Sequence, residues 1–84
     1  MQTTNLIIKK CWLDKILSGE KKIEYREIKP YYYRLEKLNT PFVCVLQNGY
    51  SKNCLKVEII INKIIKNIKT NNYELHIHKI KTKE

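Results

Sequence analysis

The run Phe42-Val43-Cys44-Val45-Leu46 is apolar at every position and too short for a buried helix, so it reads as a central strand covered on both faces. Asn39-Thr40-Pro41 bounds it on one side. On the other side stands Gln47-Asn48-Gly49-Tyr50-Ser51, where Asn-Gly is a strong turn signal because both residues tolerate positive φ. A chain of 84 residues can bury one modest core and no second, so everything else must pack around this strand.

The other segments supply what such a strand needs. Leu6-Ile7-Ile8 is a short apolar run with β-branched residues that suits one buried strand inside a sheet. From Lys10 to Ser18, Trp12, Leu13, Ile16 and Leu17 recur on one helical face, and Gly19 stops that helix in the left-handed conformation. Pro30 opens a second short helix ending at Leu38, with Tyr31, Leu35 and Leu38 as its buried stripe and Tyr32, Arg34, Glu36 and Lys37 nearer solvent. Leu55 to Ile65 alternates as a long strand with Val57, Ile59 and Ile61 inward, until Asn62-Lys63 breaks the phase and predicts a bulge. Thr70-Asn71-Asn72 turns into a last strand, Tyr73–Ile80, with Leu75 and Ile77 inward and Glu74, His76 and His78 outward; Lys81 to Glu84 should fray. The sum is one α+β domain over residues 1–84: a partly closed barrel of about five strands with one or two flanking helices.

The most charged stretch joins the first helix to the next strand, Gly19-Glu20-Lys21-Lys22-Ile23-Glu24-Tyr25-Arg26-Glu27. Strand alternation puts Ile23 and Tyr25 on one face, expected to enter the core, and Lys22, Glu24 and Arg26 on the other, expected to work. Lys21 and Arg26 suit a phosphate held from two sides, Arg26 by a planar fork and Lys21 as a point charge, with Glu24 orienting Arg26 or accepting from a base. The bland alternative is a surface pair between Glu24 and Arg26, worth at most about 1 kcal/mol.

A net charge of +9, from 17 basic and 8 acidic residues, favours polyanionic partners. The excess is spread along the chain, however, and the abundance of Lys, Ile and Asn is also what A/U-rich codons produce. Three cysteines without CxxC spacing argue against disulfides or structural zinc. No apolar run approaches the ~20 residues of a membrane span and no signal peptide is evident, so the expected location is cytoplasmic.

The run from Trp12 to Arg26, helix then Gly-x-Lys then Glu-x-Arg on the next strand, resembles the signature of the ASCH domain, a family within the PUA-like fold. Gln47–Ser51 is also similar to a turn of small phage and bacterial ASCH-like proteins. The resemblance implies a PUA-like β-barrel with a helix-flanked cleft, RNA or other nucleic acid as ligand, and hydrolysis in some members. In members that hydrolyse modified nucleosides, the lysine works with a threonine three residues later and a distant glutamate. Lys21 matches that lysine, but Glu24 stands where the threonine would be, and Glu58 and Glu74 are only candidates for the glutamate.

The expected nucleic-acid site comprises Lys21, Lys22, Glu24, Arg26, Tyr32, Asn48 and Tyr50, the tyrosines as stacking surfaces for single-stranded bases among nearby cations. Were the chain an enzyme, Lys21 and Glu24 would be its acid/base pair, serving a nucleoside amidohydrolase or a ribonuclease. A third reading is a protein-interaction module that captures an acidic partner. His76 and His78 share a strand face without a third ligand, so no metal is expected, and no motif calls for a cofactor. An exposed strand edge leaves homodimerisation open.

Overall fold

The computed structural model describes residues 1–81. Its elements are β1 (Thr3–Ile7), α1 (Lys10–Leu17), β2 (Ile23–Glu27), a 3₁₀ helix (Pro30–Lys37), β3 (Phe42–Gln47), β4 (Lys56–Asn67) and β5 (Asn72–Ile80). The strands form one sheet in the order β1-β3-β4-β5-β2, with β1 parallel to β3 and the other ladders antiparallel. The domain is α+β as expected, and the sheet curls into a half-barrel whose two edges are β1 and β2.

β3 lies inside the sheet, with its even positions in the core. Phe42, Cys44 and Leu46 face inward, and their partners on β4 are Ile61, Ile59 and Val57. On the convex face Val43 and its ladder partner Ile60 are also buried. β4 slips register between Ile60 and Lys63, at the bulge that the broken alternation predicts. Tyr73 and Leu75 of β5 complete the core, while Ile77 is only half-buried. Lys81 is not frayed, since its amide donates to the Glu58 carbonyl at 2.8 Å; Thr82, Lys83 and Glu84 lie outside the described residues.

Three expected faces are corrected. In α1, Leu13 and Ile16 are buried but Trp12 and Leu17 are 47% and 42% exposed, because a helix of eight residues docks on a narrower stripe than four apolar positions suggest. In the second helical segment the inward stripe is Leu35, fully buried, with Tyr32 and Leu38 partly buried against the core, and Tyr31 is exposed. That segment is 3₁₀ rather than α, and a period of three aligns i, i+3 and i+6.

The third correction is β2. Glu24 is buried and Arg26 nearly so, whereas Tyr25 is half exposed, so the charged face enters the half-barrel and the apolar one looks out. Burial of the charges is tolerable because the carboxylate has cationic partners on the same strand and the preceding turn.

Candidate functional site

The open seam between β1 and β2 is bridged by the two helical segments. α1 spans it as the connection between the strands. The 3₁₀ helix ties both edges: Arg34 donates from Nη2 to the Asn5 carbonyl of β1 at 2.9 Å, and Tyr32 Oη accepts from Arg26 Nη1 of β2 at 3.1 Å. Between these bridges lies a cleft of about 410 Å³ lined by Ile7, Ile8, Lys9, Trp12, Lys21, Glu24, Tyr25 and Arg26.

Lys21 enters this cleft because of the helix stop. Gly19 takes φ +85°, a conformation open to glycine at no steric cost, and its amide donates to Ile16 while that of Lys21 donates back to the Lys15 carbonyl. The Lys21 ammonium then donates to the Ile23 carbonyl at 2.6 Å and lies 3.5 Å from Glu24 Oε1. It sits 5.6 Å from the ring centre of Trp12 and 5.0 Å from that of Tyr25. At this range each ring attracts the cation.

Beneath Lys21, Arg26 donates from Nε and Nη2 to Glu24 Oε2 at 2.9 and 2.6 Å. Burial opposes the Arg26 charge, but the Glu24 carboxylate and the hydrogen bonds to Tyr32 and Glu24 outweigh it, and the pKa rises. The same interior holds Cys44, whose thiol is pushed up to about 12 by burial, although Arg26 and Arg34 pull the other way. It is an inert core side chain. Among the described residues the cleft therefore presents three cations, Lys9, Lys21 and Arg26, against one carboxylate, with two aromatic rings at its mouth and an aliphatic wall. That combination suits a ligand having a flat ring and an anionic group.

Of the residues expected from the sequence, Lys21, Glu24 and Arg26 come together and Tyr32 supports Arg26 from behind. Lys22 is not in the cleft lining; it lines a shallow adjoining groove with Glu20, Lys21, Ile23 and Tyr25, so it meets the cleft residues through Lys21 and Tyr25 alone. Asn48 donates its side-chain amide to the Ile8 carbonyl at 3.1 Å, holding the β3–β4 connection to the end of β1. Tyr50 stands on that connection, 89% exposed and away from the cleft lining. Glu58 and Glu74 also lie elsewhere: Glu58 pairs with Lys81, and Glu74 accepts from Asn67 on the face opposite Tyr73 and Leu75. His76 approaches Glu74 at 3.6 Å, and among the described residues no three of His, Cys, Asp and Glu gather as a metal site.

Sequence reasoning missed Trp12, Lys9 and the aliphatic wall, and it placed Tyr25 on the core face rather than at the site. A usable signal was present for Trp12: it is the least burial-tolerant member of a stripe too wide for so short a helix. No protein-family model matches the chain, and no curated protein is detectably similar to it in sequence.

Proposed function

We propose that this protein binds single-stranded nucleic acid, RNA foremost, in the seam cleft, as an ASCH-like domain of PUA-like type. One observation carries the reading: Lys21, Glu24 and Arg26, the three charged residues of the Gly-x-Lys and Glu-x-Arg motif, converge in one cleft whose mouth is formed by Trp12 and Tyr25. An unstacked base fits against the rings, and the cations take its phosphate.

The test is fluorescence anisotropy of a labelled single-stranded RNA at near-physiological and raised salt, with Lys21→Met and Trp12→Ala beside the unaltered protein. Lys56→Ala, on β4 and outside the cleft lining, serves as the control. Saturable binding that weakens with salt, is reduced in both cleft variants and is unchanged in the control supports the reading. Equal binding by all four proteins sinks it.

A hydrolase in the same cleft is the second reading, favoured by the 3.5 Å approach of the Lys21 ammonium to Glu24. Among the described residues Glu24 is the sole acidic one lining the cleft, so this reading has no second carboxylate there to call on. Turnover of an acylated nucleoside that disappears in Lys21→Met with folding intact would establish it.

A further inference from the structure

We infer that the 3₁₀ helix carries a second nucleic-acid contact outside the cleft, in which Tyr31 stacks a neighbouring base while Lys29 and Lys37 take the flanking phosphates. The inference rests on the nucleic-acid reading of the cleft and specifies its substrate as an oligonucleotide strand rather than a free nucleoside or mononucleotide.

Tyr31 is 66% exposed, yet its ring is held. The Arg34 guanidinium lies 4.9 Å from the ring centre, and the Tyr32 ring meets it edge-on, also at 4.9 Å. Arg34 is itself anchored, donating to the Tyr31 and Asn5 carbonyls at 2.9 Å each. A large aromatic surface that is outside the core but already immobilised loses little freedom on stacking.

The 3₁₀ period places Tyr31, Arg34 and Lys37 in one row. That row begins one ring away from the cleft, since Tyr32 touches Tyr31 on one side and accepts from Arg26 on the other. The one carboxylate on the helix, Glu36, is engaged by Lys66 at 3.1 Å and by Tyr73, and Lys29 is held only by a long, exposed pair with Glu27 at 3.8 Å, which leaves the row with a positive excess. Charge complementarity and continuity with the cleft both favour a strand of nucleic acid. An acidic peptide would use the charges but would have no need of the ring.

The chain holds one tryptophan, Trp12 at the cleft mouth, so its quenching reports cleft occupancy separately from overall binding. UMP is titrated by Trp12 fluorescence and a labelled hexauridylate by anisotropy, for unaltered protein, Tyr31→Ala, Tyr31→Phe and Tyr33→Ala. Tyr33 is half exposed and lines a groove with Glu36, Lys37 and Lys66, so Tyr33→Ala removes an exposed ring beside the same cation while leaving Tyr31 in place. The expected result is a hexauridylate affinity about tenfold weaker in Tyr31→Ala, rescued in Tyr31→Phe and unaltered in Tyr33→Ala, with UMP quenching the same in all four. Hexauridylate binding unaffected by Tyr31→Ala, with UMP still quenching Trp12, overturns the second contact and leaves the cleft reading standing. Failure of both probes to bind the unaltered protein removes the cleft reading and this inference with it. Competition by polyglutamate as effective as that of unlabelled hexauridylate also overturns the inference, since stacking would then contribute nothing.

Discussion

Arg26 directs two nitrogens at a single oxygen of Glu24, at 2.9 and 2.6 Å, and Lys21 approaches the other oxygen at 3.5 Å. The carboxylate is thus buried with a cation on each side, and the arrangement fixes how the motif behaves under substitution. Removing either charged partner leaves the other in a place that water reaches poorly.

Arg26→Ala strips Glu24 of its closest partner and is expected to destabilise the domain by about 3–5 kcal/mol, visible as a lower urea midpoint. The double variant Glu24→Gln/Arg26→Met, which removes both charges, is expected to lose less than Arg26→Ala alone. A double variant that is less stable than the single would show that the pair contributes more than it costs.

Leu35→Ala is expected to cost about 2–5 kcal/mol, because Leu35 is fully buried in the core, whereas Tyr31→Ala should leave the urea midpoint nearly unchanged. An α-helical register would instead bury Tyr31 with Leu35 and Leu38. The pair of measurements therefore discriminates the period of three from that of 3.6.

Alkaline pH should weaken the fold through Tyr73. Its hydroxyl is pushed up from 10.0 to about 12, first by burial and then by the hydrogen bond it donates to Glu36. The folded pKa lies above the unfolded one, so the stabilisation is complete below the unfolded value of 10.0 and is lost as pH rises through about 12. Melting temperatures followed across that range should fall more steeply for the unaltered protein than for Tyr73→Phe; parallel curves would exclude Tyr73 as the cause.

How much of this is legible in the sequence depends on whether one interaction dominates locally. Phe42–Leu46 has no alternative to burial, and the bulge at Asn62-Lys63 is written in the broken alternation of β4, so both survive into the structure. The face of β2 does not follow from hydropathy, because Glu24 and Arg26 supply each other's partners and so escape the usual cost of burying charge. Tyr31 and Tyr32 are the same residue type, and only the 3₁₀ period, which composition does not encode, decides which packs against the core. Within the cleft, the local motif residues Lys21, Glu24 and Arg26 are readable. Lys9 and Trp12 reach it through the tertiary closure of β1 and α1 over the seam, and no spacing announces that.

Gly19 links the stability of this fold to the position of its central cation. With φ at +85° and nothing within 4 Å of where a Cβ would stand, Gly19→Ala meets backbone strain without a clash, and the expected cost is about 1 kcal/mol. The turn also sets the Lys21 amide on the Lys15 carbonyl at 3.0 Å, and through it the ammonium between Trp12 and Tyr25. Any rotation of the turn to relieve the strain withdraws Lys21 from both rings. Trp12 fluorescence should then shift even without ligand, and, under the proposed nucleic-acid function, the salt dependence of RNA binding should fall by about one phosphate contact. Gly19→Ala with lowered stability but unaltered Trp12 emission and salt slope would mean that Lys21 is placed by Glu24 and the Ile23 carbonyl alone, with the turn serving only to end the helix.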